Sequence, residues 1–203
     1  MLTVHDAKAK QKTIAGAGRP RQFVPGEALQ NALQLFWHKG FEATSIEDLL
    51  GAMSLSKSSF YACFGSKQAL YTEAIRAYSD SYFDALCAAA RAATDPLAGV
   101  HAVLAQIADP QGGSKGCFFV NTVTELAPHD PGLTTYCQGH IARVATLVTE
   151  LLVQAGFTPQ LASDRAAAAL SLAMGLITLR KAGFPPGRLE ELLAQVRHLL
   201  VLP

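Results

Sequence analysis

A short polar run followed by an aromatic residue has the composition of a helix that reads nucleic acid. Lys57, Ser58 and Ser59 precede Phe60 directly. A polar amino-terminal half can reach base edges in the major groove, while an apolar half anchors the helix to its own domain. Nearby hydroxyl and ammonium groups are donors suited to phosphate oxygens. These donors are Thr44, Ser45, Tyr61 and Lys67.

A basic segment precedes this run. Arg19 and Arg21 flank Pro20 in a Gly-Arg-Pro-Arg sequence, and residues 1–24 lack hydrophobic periodicity. We interpret residues 1–24 as a flexible basic arm. Its arginines are suited to a narrow A·T-rich minor groove, where negative potential is concentrated. A merely solvated tail explains the same composition equally well.

Polar groups are scattered among the apolar helices of the middle of the chain. A mostly apolar cavity with a few fixed polar groups is typical of a small-molecule pocket. The candidate ligand-binding residues are Phe83, His101, Phe118, Phe119, Asn121, Thr122, Glu125, Tyr136 and His140. Each of them taken singly is more often ordinary core or surface.

The cysteines and histidines leave two alternatives open. Cys137 and His140 lie one helical turn apart, and Cys117 or His129 could join them at a soft metal such as zinc. A redox-sensing or electrophile-sensing thiol is the other alternative, set against inert buried cysteine. We expect no resident metal or cofactor. No catalytic triad, phosphate loop or paired-carboxylate motif is recognisable, so catalysis is not expected either.

The elements that must hold these residues are helices. Thr44 or Ser45 with a carboxylate three residues later predicts a capping box, and Ser54-Leu55-Ser56 separates this helix from the next at 57–64. Two short helices joined by a three-residue turn form a helix-turn-helix. The first of them should bury Ile46, Leu49, Leu50 and Met53.

The rest of the chain shows helical periodicity and no sustained strand alternation. An earlier helix carries the apolar stripe Leu29, Ala32, Leu33 and Phe36, and Gly40 supplies its stop. Later helices are predicted at 68–93, 96–108, 117–126, 132–154, 159–182 and 186–201. The predicted fold is all-α, with an amino-terminal helix-turn-helix bundle and a larger helical domain for ligand binding and dimerisation.

The pattern Ser-Lys-Ser-Ser-Phe-Tyr-x-x-Phe-x-Ser-Lys-x-x-Leu at residues 56–70, with the helix 29–39 and Gly40-Phe41 before it, resembles the TetR family of bacterial transcription regulators. The resemblance covers residues 20–75, and the family usually has glycine in place of Ser54 and an aromatic residue or histidine in place of Cys63. It implies that Lys57, Ser58, Ser59 and Ala62 face bases. It also implies a carboxy-terminal dimer interface and a small-molecule pocket.

The last helix carries a wide apolar stripe close to heptad spacing, and the helix before it is rich in small residues. We expect the stripe to form a four-helix dimer interface with the partner's helices. The stripe is Leu189, Leu192, Leu193, Val196, Leu199 and Leu200. Packing within its own subunit is the alternative.

Composition limits the class of protein. The chain has 203 residues, 50% hydrophobic and 16% charged, which excludes a disordered or collagen-like polymer. Its longest uncharged apolar stretch, 166–179, is shorter than the roughly 20 residues that cross a bilayer, so we expect no membrane partner. No signal peptide is recognisable, and the four cysteines lack a CxxC pair, so we expect a reducing cytoplasm.

The domain assignment combines these observations. We predict a basic arm at 1–24, a helix-turn-helix domain at 25–67 and a regulatory domain at 68–203. Residues 1–67 hold eight cationic against five acidic side chains, which favours a polyanionic partner for this part. The predicted protein is a homodimeric repressor released from an inverted-repeat DNA operator by a small apolar effector. Two rivals remain, a small-molecule-binding protein without operator function and an enzyme that uses Cys117 or Cys137.

Overall fold

The computed structural model describes residues 25–198 and Leu200, and within this part it contains nine α-helices, one 3-10 helix and no strand. The predicted all-α fold is confirmed. Residues 1–24, with the predicted arm and its Arg19 and Arg21, lie outside the described residues. The helices are α1 Pro25–Lys39, α2 Ile46–Met53, α3 Lys57–Phe64, α4 Lys67–Ala92, α5 Pro96–Ala108, α6 Phe118–Glu125, the 3-10 helix Ala127–His129, α7 Pro131–Gln154, α8 Pro159–Lys181 and α9 Pro186–His198.

The chain forms two compact units, one ending at Ser81 and the other beginning at Tyr82. This division lies inside α4, whereas the sequence-based domain boundary was drawn at its start. The division lies inside α4 because aromatic side chains join the first half of this helix to α1. Phe36 of α1 meets Tyr71 of α4 edge to face at 5.0 Å between ring centroids, and Trp37 meets Tyr78 at 5.3 Å. These contacts hold the first half of α4 in the amino-terminal unit.

In the first unit, α1 buries a stripe of apolar side chains and packs against α2. The stripe is Ala28, Ala32, Leu33 and Phe36, while Leu29 is half-buried. Gly40 ends α1 with a φ of 81°, a left-handed conformation that favours glycine, and its N–H donates to the Phe36 carbonyl at 2.8 Å. The predicted stop at Gly40 is therefore confirmed.

The helix-turn-helix begins with a capping box. The Asp48 N–H donates to Ser45 Oγ at 3.0 Å, and the Ser45 N–H donates to Asp48 Oδ2 at 2.9 Å. Lys39 also donates to Asp48 at 2.7 Å, and this bond, followed by the Ser45 backbone bond, lowers the pKa of Asp48 to about 2. Ser45, not Thr44, is the cap. The carboxylate thus ties the end of α1 to the start of α2.

Between α2 and α3 the chain turns through Ser54, whose φ of 54° is left-handed. A serine accepts this conformation at some cost, which explains why glycine serves better there. The prediction of a fully buried face on α2 is correct for Leu49 and Met53, but Ile46 and Leu50 are only half-buried. At about 100° per residue the four side chains share an arc of about 100°, with Leu49 and Met53 toward one edge and Ile46 and Leu50 toward the other.

In the second unit, α8 packs against α5, α7 and α9, while α6 and the 3-10 helix pack beside α7. Small side chains let α8 approach its neighbours closely. Ala162, Ala166, Ala169 and Ala173 are buried along one side. Among the described residues, α8 is the helix long and apolar enough to span a membrane, but a core helix passes the same test and 39% of its apolar stretch is buried here.

Most of the predicted dimer stripe on α9 packs within its own subunit, the alternative that the sequence left open. Leu189, Leu193, Val196 and Leu200 are at most 5% exposed in the isolated chain, because α9 lies against α8 and α5 of the same subunit. Leu192 is half-buried, and the side chain of Leu199 lies outside the described residues. The helix ends at His198, and the Leu200 N–H donates to the Arg197 carbonyl at 3.0 Å in a turn.

Candidate functional site

One face of α3 is exposed and chemically mixed. Phe60 on the opposite face is fully buried. At about 100° per residue, the exposed side chains fall on one continuous arc of about 140°. In order around the helix, the arc consists of Lys57, Tyr61, Ser58 and Ala62. Four predicted DNA-contacting residues are therefore brought together on one accessible surface.

Hydrogen bonds among serines fix the amino-terminal turn of α3. Ser56 is the N-cap, and its Oγ accepts from the Ser59 N–H at 3.2 Å. The Ser56 hydroxyl also lies 2.9 Å from Ser59 Oγ and 3.0 Å from Ser58 Oγ. Ser59 is half-buried. Its hydroxyl therefore belongs to the cap of the helix more than to its exposed arc.

The side chain of Thr44 lies inside the protein, where it cannot contact DNA. It is fully buried, and its hydroxyl donates to the Gly40 carbonyl at 2.6 Å. The sequence placed it beside Ser45 at a helix start, where either residue can cap, and only packing decides which one turns inward. Ser45 remains exposed beside the positive end of α2.

Lys67 starts α4 with a partly fixed ammonium group. Its Nζ lies 4.3 Å from the centroid of the Phe41 ring, and Ser66 Oγ accepts from the Ala69 N–H at 3.0 Å. The cation–π contact restrains a flexible side chain near a helix amino terminus. Both features suit contact with a phosphate group.

The second unit contains an apolar cavity with about 50 Å³ available to the centres of water molecules. One water needs about 10 to 15 Å³ by this measure, so the space exceeds a single water site. None of the described residues that line the cavity is an Asp, Glu, Lys or Arg. The lining consists of Tyr82, Leu86, Ile107, Cys117, Phe119, Val120, His140, Ile141, Val144, Leu170, Met174 and Ile177.

The polar groups of the cavity wall are largely engaged. Tyr82 donates its hydroxyl to the Gln106 carbonyl at 2.7 Å, and burial raises the pKa of Tyr82 well above its ordinary value. The ring of His140 is buried and lies 4.6 Å from that of Phe119. Such a wall suits an uncharged ligand, because a charged ligand would lose its hydration without gaining an ionic partner.

Of the nine predicted pocket residues, Phe119 and His140 line the cavity and the other seven do not. Phe118 packs elsewhere in the core, and the buried Thr122 donates its hydroxyl to the Phe118 carbonyl at 2.9 Å. Tyr136 stacks beside His140 at 6.5 Å. A helix has several faces, so proximity in sequence does not decide which side chains share a cavity.

The remaining predicted pocket residues belong to other contacts. Lys181 donates to Asn121 Oδ1 at 2.9 Å and to Glu125 at 3.3 Å, forming a surface network. Phe83 lies under the Arg143 guanidinium at 4.0 Å. His101 has a buried Nε2, and its pKa is lowered mainly by burial and then by Arg197. The prediction of a ligand role for these residues is not supported by their positions.

Cys117 lines the cavity, a placement that its sequence alone did not reveal. Cys137 is buried outside the lining, and burial raises its pKa to about 11, which disfavours a reactive thiolate at neutral pH. Within the described part of the chain, no group of three His, Cys, Asp or Glu side chains is arranged to hold a metal. The metal alternative therefore has no site there.

Sequence reasoning missed an ionic clasp between α5 and α8. Arg180 is 6% exposed, and its Nη1 lies 2.7 Å from Asp109 Oδ2 and also donates to the Asp109 carbonyl. Asp109 ends α5 with a left-handed φ of 40°. A Cβ added at Gly112 would clash with Nη1 and with the Asp109 carboxylate, so the turn after α5 lies close against the guanidinium. The clasp holds the segment between Ile107 and Cys117 against α8, and both of these residues line the cavity.

A capped helix-turn-helix with an exposed polar arc, followed by a helical body with an apolar cavity, defines a DNA-binding transcriptional regulator. Residues 28–74 match the family model of bacterial regulatory proteins, tetR family. Residues 93–183 match the model of the C-terminal domain of LmrA/YxaF-like transcriptional regulators. The chain belongs to the TetR family of bacterial transcriptional regulators, and the resemblance inferred from residues 56–70 is confirmed.

Two relatives in other bacteria are regulators of the same kind. The transcriptional repressor ComR of Escherichia coli is 30% identical over 145 residues, which span 68% of this chain and 67% of ComR. The uncharacterised regulator YezE of Bacillus subtilis is 28% identical over 123 residues, which span 59% of this chain and 63% of YezE. The match to YezE thus spans less than two thirds of that protein.

Solved structures extend the similarity to nearly the whole chain. A cysteine-substituted form of the TetR family regulator CifR, in complex with 26-base-pair operator DNA, has a TM-score of 0.74 at 26% identity and covers 90% of this chain and 98% of CifR. A TetR-family regulator from Streptomyces coelicolor has a TM-score of 0.77 at 22% identity, with coverage of 86% and 93%. The second likeness bears on the fold alone.

The clasp leads to a stability prediction. Asp109→Ala removes the carboxylate that pairs with the buried Arg180 guanidinium. The free energy of unfolding should therefore fall by about 1 to 3 kcal/mol. Glu191→Ala is the matched control, because it breaks the pair with Arg188 in which both side chains are largely exposed. That control should change stability by less than about 1 kcal/mol. Chemical denaturation measures both, and equal effects would contradict a structural role for the clasp.

Proposed function

We propose that this chain is a homodimeric repressor that binds an inverted-repeat DNA operator through α3 and releases it when a small uncharged effector occupies the cavity. The observation that carries the DNA-binding part is the exposed arc of Lys57, Ser58, Tyr61 and Ala62 opposite the buried Phe60. The arc presents donors and a methyl group on a helix held by its apolar side. This is the arrangement that base reading in a major groove requires.

Contacts to the DNA backbone complete the proposal. Ser45 and Lys67 each lie at the start of a helix, and Tyr61 is 44% exposed. Positive helix ends and exposed donors favour phosphate oxygens, which set the register of a protein on DNA. Arg19 and Arg21 are proposed to enter the minor groove on the strength of their sequence. Binding to DNA also makes the cytoplasm the natural location.

The matched variants Lys67→Ala and Lys115→Ala test the DNA interface. An operator is first selected from random duplexes, and affinity is then measured by fluorescence anisotropy over a range of salt concentrations. Lys67→Ala should weaken binding to all sequences and reduce the salt slope by about one unit. Lys115→Ala, an exposed lysine of the second unit, should change neither. If the folded protein selects no duplex, the rival of a ligand-binding protein without operator function is favoured.

We place the dimer interface on the outward face of α8. Ala168, Leu172 and Gly175 are exposed there at spacings of four and three residues, and Leu172 is 45% exposed. Phe184, just beyond α8, is 43% exposed. No charged residue occurs between Arg165 and Arg180. An exposed, uncharged face with small residues suits close contact with the same face of a second copy.

Leu172→Glu should produce folded monomers, because two copies would bring unpaired carboxylates into an apolar seam. Val153→Glu is the matched control, since Val153 is 40% exposed on α7 and lies outside the proposed interface. Leu193→Glu should instead unfold the second unit, because that side chain is buried within its own subunit. Light scattering and circular dichroism separate these outcomes. A persistent Leu172→Glu dimer would place the interface elsewhere.

The effector is proposed to be small and uncharged because of the cavity lining. The space is lined by aromatic and aliphatic side chains, with His140 and Cys117 as its polar groups beside the engaged Tyr82. Ligand binding lowers DNA affinity by the same factor by which DNA lowers ligand affinity, because coupling is reciprocal. A compound that binds equally well with and without operator is therefore not an inducer.

Val144→Phe should fill the cavity and abolish the response. Thermal shift with matched pairs, such as benzyl alcohol against benzoate, should show stabilisation of the unchanged protein by the uncharged member only. The filled variant should bind operator normally and lose this stabilisation. Val153→Phe, an exposed position on the same helix, should retain it. Equal stabilisation of the Val144→Phe protein would rule out this cavity as the site.

Cys117 gives a second candidate function, because its thiol lies in the cavity wall. The sulfur would add to the β-carbon of an unsaturated carbonyl compound, and the thiol proton would end on the α-carbon. Release of DNA by such compounds in the unchanged protein and in Cys137→Ser, but not in Cys117→Ser, would favour the thiol sensor. Release by uncharged unreactive compounds in all three proteins would favour the reversible effector.

A further inference from the structure

The chemical inventory of the exposed arc on α3 is short enough to predict bases. The eight residues Lys57–Phe64 contain one cation, and they contain no arginine, asparagine, glutamine, aspartate or glutamate. Asparagine and glutamine are the usual bidentate readers of adenine, and carboxylates accept from cytosine. Neither kind of direct reading is open to α3. Its preferences must come from an ammonium, hydroxyls and a methyl group.

The serine hydroxyls are committed to the start of the helix. Ser59 Oγ and Ser58 Oγ lie 2.9 and 3.0 Å from Ser56 Oγ, and Ser59 is half-buried. A hydroxyl held by a neighbour has less to offer a base and discriminates weakly, because it both donates and accepts. The serines therefore position the helix, and the sequence-based assignment of Ser59 to a base is revised.

Two side chains remain for base recognition. Lys57 is an exposed donor without acceptor capacity, and guanine presents two acceptors, O6 and N7, in the major groove. Ala62 presents an exposed methyl group, and thymine presents the C5-methyl group there. Tyr61 lies between Lys57 and Ser58 on the arc and retains its phosphate role.

We propose that each operator half-site is read directly at two base pairs, a G·C pair that accepts from Lys57 and a T·A pair whose thymine methyl contacts Ala62. The proposal rests on the proposed function in one respect, that α3 enters a major groove. The two residues are five apart, which separates them by about 7.5 Å along the helix axis. Base pairs are spaced about 3.4 Å apart, so the two contacts fall on different base pairs.

The experiment replaces single atoms of the selected operator. At each guanine of the half-site, 7-deazaguanine removes the N7 acceptor, and at each thymine, deoxyuridine removes the methyl group. Unchanged protein should lose about tenfold or more in affinity at one guanine. It should lose about fourfold at one thymine, the value of one buried methyl-sized group. Lys57→Met should be insensitive at that guanine alone, and Ala62→Gly at that thymine alone.

Controls separate recognition from folding. Ser59→Ala should keep both sensitivities, and inosine, which retains O6 and N7, should replace the guanine without loss. Circular dichroism checks that Ala62→Gly stays folded despite the helix cost of glycine. The proposal is overturned if Lys57→Met keeps the full sensitivity at the guanine, if Ala62→Gly keeps it at the thymine, or if the selected half-site lacks guanine or thymine. Failure to select any duplex would instead reject the proposed function itself.

Discussion

The burial of Phe60 is the constraint on which the exposed arc of α3 depends. Its side chain has no exposed area, and its ring lies 5.9 Å from that of Phe64 one turn later. A helix of eight residues has little intrinsic stability and takes its orientation from packing. Fixing one face inward therefore fixes the opposite arc outward. The Ser56 cap then sets where the helix begins, and so which side chains occupy the arc.

A comparable division of labour operates on α8. Its buried alanines allow close packing with α5, α7 and α9, and between Arg165 and Arg180 its outward side carries uncharged, mostly small residues that remain exposed. At its end, Arg180 turns inward to hold Asp109, and Lys181 turns outward to Asn121 and Glu125. One helix thus contributes to the core, to the wall of the cavity and to the surface proposed for dimerisation. A shift of α8 would affect all three, which offers a physical route from ligand to subunit arrangement.

Local signals in the sequence are sufficient for the helices and for the start and exposed arc of α3. Capping residues, the Gly40 stop and the apolar spacing on α1 act within one or two turns of the chain, so they survive without knowledge of the neighbours. The class of protein could be predicted from residues 56–70 because their resemblance to a known family is also a local pattern of the sequence. Thr44 and Ser45 illustrate the limit, because both can cap and long-range packing selected Ser45.

What the sequence by itself determined is the all-α class, the helix-turn-helix and the chemistry available on α3, since each follows from neighbours in the chain. Only the tertiary structure decided which helix faces meet. An apolar stripe records that a face is buried but not against what, so the α9 stripe was assigned to a partner although its own α5 and α8 cover it. The cavity is likewise a property of several helices together. Cys117 lines the cavity and Asn121 does not, because the rotation and packing of the helices decide which faces point toward the cavity.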